Sequence, residues 1–167
     1  IGTGSGMQAI AAAQNPKVKS VMATDIQEEV IEYCKKCIKP GKIKDFHGTE
    51  NSKNFLVSRK IKFLQSDLFK NIKGKFDTII FNPPYLPQEL KLKYLTIEGG
   101  KKGYEVIEKF LNDVGGFLKP DGTVLMVFSS LTKKEKVEEL IKNNLLDFEE
   151  LEKTHLFFED IYACLIK

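Results

Sequence analysis

At 167 residues the chain is long enough for one domain with a hydrophobic core, and we predict a single domain over residues 1–167. A hydrophobic content of 42% and a charged content of 29%, with no membrane-length apolar run and no visible signal peptide, lead us to expect a soluble, cytoplasmic protein. The net charge of +3 does not require a nucleic-acid partner, and the single arginine, Arg59, disfavours a sequence-specific DNA enzyme because arginine is the usual reader of guanine.

A glycine-rich loop opens the chain. Residues 1–6 read Ile-Gly-Thr-Gly-Ser-Gly, and the helix-like segment 7–13 follows. Glycine permits positive φ and close approach of the backbone to a ligand, and the start of a helix attracts an anion. A dinucleotide fingerprint would need glycine at position 7, which is Met7, so the spacing argues mildly against a dinucleotide. Without further evidence such a loop is also compatible with an ordinary turn.

The second predicted strand, residues 18–25, ends in a carboxylate. Asp25 is placed to accept hydrogen bonds from ribose hydroxyls, with Ile26 directly after it. Asp25 is also suited to cap the next helix, because Glu28 and Glu29 follow in its first turn, although its neighbours favour the ribose role. Both interpretations stay open.

Three cysteines suit a reducing compartment. The helical segment 28–39 contains Cys34 and Cys37, which we predict to face the core together with Val30 and Ile38. A zinc site is the less favoured alternative, since only His47 and Cys164 remain as further ligands and no second paired motif exists. We therefore expect no metal. His47 is expected to be solvated in a polar loop that spans residues 40–60, which is long for a loop.

The third predicted strand is residues 61–65, and a polar turn follows it. Asp67 lies where it can accept a hydrogen bond from an adenine amino group, with Leu68 or Phe69 against the ring. Ser-Asp-Leu is otherwise an ordinary turn.

The most informative segment follows the fourth predicted strand, residues 76–81. Residues 82–85 read Asn-Pro-Pro-Tyr, and the two prolines cannot continue a strand ladder. Asn82 and Tyr85 are thereby fixed at the carboxyl end of a strand, where open α/β sheets bind ligands. The Asn82 side-chain oxygen and a nearby backbone carbonyl can together accept from one –NH2 group. This arrangement suits a planar amino or amide nitrogen.

Strands and helices continue to alternate to the end of the chain. Residues 104–119 predict a helix, residues 120–122 a turn and residues 123–128 a buried strand. A helix over 134–145 and two strands near 147–154 and 160–166 complete the pattern. The apolar face of the first of these helices consists of Ile107, Phe110, Leu111, Val114 and Leu118, and that of the second of Val137, Leu140 and Ile141. The series is a βαβ arrangement with a β-rich end.

The glycine loop, Asp25, the Ser-Asp-Leu turn and Asn-Pro-Pro-Tyr, in this order, resemble the class I S-adenosylmethionine-dependent methyltransferases. The resemblance covers nearly the whole chain and implies a Rossmann-like α/β fold: a seven-stranded, mostly parallel sheet with helices on both faces and the last strand inserted antiparallel. It further implies a first strand upstream of Ile1. S-adenosyl-L-methionine is the implied cofactor. Its implied binding residues are Gly2, Thr3, Gly4, Gly6, Asp25, Ile26, Asp67, Leu68 and Asn82.

Asn-Pro-Pro-Tyr looks like the catalytic motif of HemK/PrmC glutamine methyltransferases, adenine-N6 DNA methyltransferases and some guanine-N2 RNA methyltransferases. Residues 98–107 resemble the Gly-Gly-x-x-Gly segment of HemK-type enzymes, and residues 156–162 resemble their archaeal and eukaryotic branch. That branch is a single catalytic domain that methylates the glutamine of the Gly-Gly-Gln motif in class I peptide release factors. An RNA or DNA amino-group methyltransferase is the alternative, and an inactive binding module of the same fold is a third, less favoured one.

The resemblance also implies roles and a partner. Asn82 Oδ1 and the Pro83 carbonyl would accept the two hydrogens of the acceptor amide, and Tyr85 would pack on its flat face. The same branch commonly works with a small zinc-binding activator protein. We expect such a partner at the edge of residues 61–65, with Val57, Ile61 and Phe63 as apolar contacts.

Overall fold

The computed structural model describes residues 1–39, 52–85 and 99–167. These residues fall into two compact units, Ile1–Ile72 and Lys73–Lys167, and each is described by itself. Six β-strands and five α-helices lie in the part of the chain that the structure describes. No helix in that part is both long and apolar enough to cross a membrane.

The first unit is a parallel strand pair with three helices. Its elements are α1 (Met7–Gln14), β1 (Val21–Asp25), α2 (Glu28–Cys37), α3 (Ser52–Lys60) and β2 (Ile61–Gln65). Strands β1 and β2 run in register from the pair Val21–Ile61 to the pair Asp25–Gln65. The core that joins strands and helices consists of Ala9, Ala13, Ala23, Cys34, Ile38, Val57 and Ile61. The parallel register brings the carboxyl ends of the two strands to one edge.

Helix α3 corrects the prediction of a polar loop over residues 40–60. The segment is poor in apolar residues, but Val57 and Ser58 are buried, and that one face is enough to hold the helix on the core. Lys60 ends the helix and donates from Nζ to the carbonyls of Ala13 (3.0 Å) and Asn15 (3.1 Å), which lie at the end of α1. Residues 40–51, including His47, lie outside the described part.

Helix α2 confirms one cysteine prediction and overturns the other. Ile31, Cys34 and Ile38 are buried and follow the i, i+3, i+7 spacing of one helical face. Cys37 falls off that face and is exposed, so the prediction that it faces the core is wrong. Val30 is half-buried.

The second unit is a four-stranded mixed sheet. Its strands are β3 (Phe76–Phe81), β4 (Leu118–Ser129), β5 (Phe148–Leu156) and β6 (Glu159–Ile166), and its α-helices are α4 (Glu105–Val114) and α5 (Lys134–Asn143). The strand order is β3-β4-β6-β5. Strands β3 and β4 are parallel, whereas β6 is antiparallel to both of its neighbours. The expected antiparallel insertion of the last strand is therefore confirmed. The strand expected upstream of Ile1 stays a prediction.

The predicted turn at residues 120–122 lies inside β4 as an irregularity of the strand. The pairing with β3 jumps from Phe76–Leu118 to Thr78–Thr123. Asp121 has φ 63°, and a Cβ at Gly122 would lie 3.0 Å from the Phe76 carbonyl oxygen. The turn residues thus bend the chain as expected, but within a strand rather than between a helix and a strand.

The core of the second unit confirms the predicted helix faces. All the apolar residues assigned to them are buried, namely Ile107, Phe110, Leu111, Val114, Leu118, Val137, Leu140 and Ile141. The Phe110 ring lies 4.3 Å from the Phe81 ring, centroid to centroid. Because Phe81 is the last residue of β3, this contact anchors the strand end from which residues 82–85 emerge.

Candidate active site

Three positive-φ glycines shape the glycine loop (residues 1–6). Gly2, Gly4 and Gly6 have φ values of 62°, 51° and 81°. A Cβ at Gly6 would overlap Ile38 Cδ1 and lie 3.3 Å from Cys34 Sγ. A side chain at this position would have to displace the end of Ile38 and would also be strained by the positive φ. The amide N–H of Gly6 donates to the Thr3 carbonyl at 2.9 Å. The loop is closed on itself and packed against α2.

Asp25 holds the glycine loop. Its Oδ2 accepts from the Gly4 amide at 3.0 Å and its Oδ1 from the Gln27 amide at 3.1 Å. The backbone next to it is tied in as well, since the Thr3 amide donates to the Thr24 carbonyl at 2.8 Å. The N-cap of α2 is Gln27, so Asp25 is not the helix cap. A carboxylate has about four lone-pair positions, and two hydrogen bonds leave acceptor capacity for a ribose hydroxyl.

Cys34 binds the carbonyl group of Gly4, the loop residue whose amide is bound by Asp25. Its buried thiol donates to the Gly4 carbonyl at 3.2 Å, while the Gly4 amide donates to Asp25. Burial, and secondarily the charge of Asp25, raises the pKa of the Cys34 thiol, which keeps it a hydrogen-bond donor. Helical periodicity predicted that Cys34 is buried but gave no signal for its contact with the loop.

The start of α1 lies directly behind the loop. Gly6 is its N-cap, and no side chain caps it. Space is open around Gly4, where a Cβ would meet nothing within 4 Å. An uncapped helix start beside an open loop can receive a small anionic group such as a carboxylate. The residues present therefore fit a ligand with a carboxylate at one end and hydroxyls within reach of Asp25.

The turn after β2 is strained. Ser66 Oγ accepts from the Asn71 amide at 3.0 Å and donates to the Leu68 carbonyl at 2.8 Å. Leu68 has φ 47°, a rare conformation for a residue with a side chain, and such strain is concentrated at functional sites. Asp67 is half-exposed and pairs with Lys70 at 2.5 Å. Its predicted contact with an adenine amino group stays a prediction.

The motif formed by residues 82–85 combines an exposed side-chain amide with a buried neighbouring proline. Asn82 is exposed, Pro83 is buried and Tyr85 is half-buried. Burial raises the pKa of the Tyr85 phenol, and the charge of Glu159 adds to the effect. The backbone is thus anchored while the Asn82 side chain remains accessible.

A glycine turn packs directly behind this motif. A Cβ at Gly99 would lie 2.7 Å from the Pro84 carbonyl oxygen and would overlap the Gly103 carbonyl. The Gly103 amide donates to the Gly100 carbonyl at 3.3 Å, and the Val106 amide donates to the Gly99 carbonyl at 3.2 Å. The Gly-Gly-x-x-Gly segment is therefore a tight turn against the motif and the start of α4. Glu98, the first residue of the resembling segment, lies outside the described residues.

Sequence reasoning missed a polar pair on the same sheet edge. Ser129 is fully buried at the carboxyl end of β4, and its hydroxyl donates to Glu159 Oε2 at the start of β6. The Leu131 amide donates to Ser129 Oγ at 3.1 Å, and the Asp160 amide donates to Ser130 Oγ at 3.0 Å. Two serines after an apolar strand are a signal that could have indicated this position.

The predicted site residues fall into two groups. In the first unit lie Gly2, Thr3, Gly4, Gly6, Asp25, Ile26, Asp67 and Leu68, and in the second lie Asn82, Pro83 and Tyr85. The structure brings Gly4 and Asp25 into direct contact. Ile26 is 50% exposed next to Asp25, and its predicted contact with the cofactor stays a prediction.

The mixed sheet with its inserted antiparallel strand, the glycine loop and the Asn-Pro-Pro-Tyr motif define a class I methyltransferase fold. The chain belongs to the methyltransferase small domain family, which it matches over residues 1–158.

Within this family, the chain is similar to proteins that are named glutamine methyltransferases. The chain is 37% identical over 146 residues to a Methanocaldococcus jannaschii protein provisionally named a protein N5-glutamine methyltransferase, covering 84% of this chain and 66% of that protein. It is 30% identical over 136 residues to the release factor glutamine methyltransferase of Streptococcus pneumoniae, covering 75% of this chain and 43% of that enzyme. The chain thus spans less than two thirds of the length of either relative.

A solved structure shows the same fold. The E. cuniculi Mtq2-Trm112 complex, described as responsible for methylation of the eRF1 translation termination factor, aligns with a TM-score of 0.57 at 18% identity. The alignment covers 98% of this chain and 94% of that one.

Proposed function

We propose that the protein transfers a methyl group from S-adenosyl-L-methionine to the side-chain amide nitrogen of a glutamine, and that this glutamine belongs to the Gly-Gly-Gln motif of a class I peptide release factor. The observation that carries the proposal is that the side-chain amide of Asn82 is exposed while the next residue, Pro83, is buried. The likeness to glutamine methyltransferases supports the choice of an amide acceptor.

Residues of the first unit hold the cofactor in this proposal. The loop glycines Gly2, Gly4 and Gly6, with Thr3, receive its carboxylate end at the start of α1. Asp25 accepts from the ribose hydroxyls beside Ile26, and Asp67 with Leu68 contacts the adenine. The cofactor supplies an electrophilic methyl group. The chain itself supplies a preformed loop, which lowers the entropy lost on binding.

Residues of the second unit orient the acceptor. An amide nitrogen is a poor nucleophile because its lone pair is delocalised into the carbonyl, and orientation can contribute at most about 7–11 kcal/mol. Asn82 Oδ1 and the Pro83 carbonyl accept the two N–H hydrogens, and these bonds strengthen as the nitrogen becomes positive. Tyr85 packs on the amide plane, and its raised pKa keeps the phenol neutral. Water accepts the released proton.

A small zinc-binding activator is the proposed second partner. Among the described residues β2 pairs only with β1, so its other edge offers backbone groups for strand addition. Val57 and Ile61 are buried in the core of the first unit, so the prediction that they contact the partner is wrong. Phe63 packs against that core as well. Hydrogen exchange with and without the activator tests the placement: we expect added protection over Ile61–Gln65, and protection confined to other segments would contradict it.

The function is tested by offering the protein labelled S-adenosyl-L-methionine together with a class I release factor, a structured RNA and a DNA duplex in parallel. We expect label in the release factor alone. Label in RNA or DNA alone would favour the amino-group alternative. Calorimetric titration with the cofactor gives an independent control, because it measures binding separately from transfer. A protein that binds the cofactor but transfers no label to any substrate would be a catalytically inactive binding module.

A further inference from the structure

The turn between β5 and β6 carries an exposed aromatic pair. Phe157 and Phe158 are 96% and 94% exposed, their ring centroids lie 6.5 Å apart, and the preceding Leu156 is 47% exposed. We propose that these three residues, the hairpin tip, dock on the protein substrate beside its acceptor glutamine. This proposal rests on the proposed function and adds to it a substrate-recognition surface outside residues 82–85.

The conformation of the turn gives no reason for phenylalanine at positions 157 and 158. Residues 157–158 form a two-residue turn between Leu156 and Glu159, a position that asparagine and glycine usually fill because they adopt positive φ. Neither phenylalanine has positive φ. Full exposure of two large rings is unfavourable in water, and turn geometry does not compensate for it. An intermolecular contact gives these rings a role.

The root of the hairpin lies beside the residues proposed to orient the acceptor. Glu159 follows the tip directly, accepts a hydrogen bond from Ser129 at the carboxyl end of β4, and lies close enough to Tyr85 for its charge to act on the phenol. The register of β6 on β4 places Ile161 opposite Ser129. A protein that offered a glutamine to Asn82 would therefore meet the tip on the same edge of the sheet.

An ion pair and a hydrogen bond hold the hairpin in place below the tip. Asp160 Oδ2 lies 2.9 Å from Lys153 Nζ, and Asp160 Oδ1 lies 2.8 Å from His155 Nδ1. The Lys153 ammonium also lies 5.6 Å from the centroid of the Tyr162 ring. These contacts join the two strands next to the tip. The apolar side chains are thus presented on a paired hairpin, which limits the entropy that docking would cost.

The negative charge around the tip favours a protein partner over a nucleic acid or an anionic lipid surface. Residues 152–160 contain three carboxylates, Glu152, Glu159 and Asp160, and a single lysine, Lys153. A nucleic-acid backbone or an anionic lipid surface would be repelled by this excess of negative charge. A protein surface with an apolar contact bordered by basic side chains is complementary to it.

The test compares the double variant Phe157→Ser/Phe158→Ser with the unchanged protein in methyl transfer to a class I release factor. We expect KM for the release factor to rise about 10- to 100-fold, as removal of aromatic anchors at an interface typically does, with kcat and the Kd for S-adenosyl-L-methionine unchanged. An unchanged KM in a protein that does methylate the release factor would overturn the proposal while leaving the proposed function intact. Absence of transfer by the unchanged protein, both alone and with the zinc-binding activator, would reject the function itself, and the docking proposal with it.

Two further variants serve as controls. Leu145→Ser removes an apolar side chain of equal exposure (95%), which precedes β5 and so lies at the opposite end of the hairpin; its KM should not change. Phe157→Leu/Phe158→Leu keeps an apolar tip and should recover most of the affinity, even if the serine variant proves less stable. Tip-dependent binding to an RNA oligonucleotide or to anionic vesicles, or tip-dependent self-association, in place of binding to the release factor would also overturn the proposal.

Discussion

The two units present their functional side chains in opposite ways. In the first unit Asp25 is 8% exposed, and both of its oxygens accept backbone N–H groups, one from the glycine loop and one from Gln27. In the second unit Asn82 is exposed, whereas Pro83 is buried and the Pro84 carbonyl packs close to Gly99. The first arrangement holds a loop in shape, and the second leaves a side chain accessible to an acceptor.

This difference predicts how substitutions divide between stability and turnover. A residue whose hydrogen bonds support the fold and also face a ligand affects both properties when it is replaced. A residue that meets only the reacting group affects turnover alone. Substitutions of Gly6, Asp25 and Cys34 should therefore lower stability and cofactor affinity together, whereas replacement of Asn82 should leave both nearly unchanged.

The largest effect is expected for Asn82→Ala. Loss of a group that stabilises developing charge typically lowers kcat about 10²–10³-fold. The exposed position predicts no change in Tm. Cofactor Kd should stay nearly unchanged, because Asn82 would touch the acceptor nitrogen and not the groups that anchor the cofactor. Steady-state kinetics, calorimetry and thermal unfolding measure the three quantities. Asn143→Ala, an exposed asparagine at the end of α5, is the matched control and should be neutral. A loss of cofactor affinity as severe as the loss of turnover would contradict the separation of roles.

Gly6→Ala should be the most damaging substitution in the glycine loop. The new Cβ would overlap Ile38 at a positive φ, and overpacking of this kind costs about 1–3 kcal/mol of unfolding free energy. Denaturant unfolding and cofactor titration should both show the loss. Gly115→Ala is the control, because Gly115 has φ −58° and a Cβ added there would meet nothing within 4 Å. Equal stability of the two variants would mean that the loop is not packed against α2 as described.

Asp25→Ala should lower stability and cofactor affinity together. The Gly4 and Gln27 amides lose a charged acceptor, and we expect the substitution to cost about 1–3 kcal/mol. Asp25→Asn retains one side-chain oxygen and should fall between the alanine variant and the unchanged protein. Calorimetry with the cofactor and thermal unfolding check both quantities. Unchanged affinity in a destabilised alanine variant would assign Asp25 to the fold alone.

The smallest effect is expected for Cys34→Ala. The variant loses the 3.2 Å hydrogen bond to the Gly4 carbonyl, and a neutral hydrogen bond contributes about 0.5–1.5 kcal/mol. Cys34→Ser retains a donor of similar size and should lose less cofactor affinity than the alanine variant. The exposed Cys37, replaced by alanine, is the control. Identical cofactor Kd values for all three variants would remove Cys34 from the support of the loop.

The parts of the fold that sequence predicted are those with a local signal. Strand Phe76–Phe81 and the buried face of α4 follow from apolar periodicity, and the end of the strand follows from the two prolines after Phe81. The irregular turn at Asp121 and Gly122 was also visible in turn chemistry. Its position inside a strand was not, because the pairing of β4 with β3 depends on residues more than 40 positions apart.

The contacts that sequence missed join distant residues. Cys34 meets Gly4 across 30 positions and Ser129 meets Glu159 across 30, and no local pattern encodes either pair. Helix α3 was missed for a different reason: its residues have weak helical periodicity, and it is held by the burial of Val57 and Ser58. Tertiary packing thus determines that this segment is helical, although its intrinsic helix propensity is weak.

The most direct test of the account is to locate the methyl group on the product. After reaction of a class I release factor with S-adenosyl-L-methionine, the modified factor is digested and mapped by tandem mass spectrometry, with the Asn82→Ala variant in parallel. The account predicts one methyl group on the side-chain amide of the glutamine in the Gly-Gly-Gln motif, present with the unchanged protein and lost with the variant. A methyl group on any other residue, or an equal yield from the variant, would contradict it.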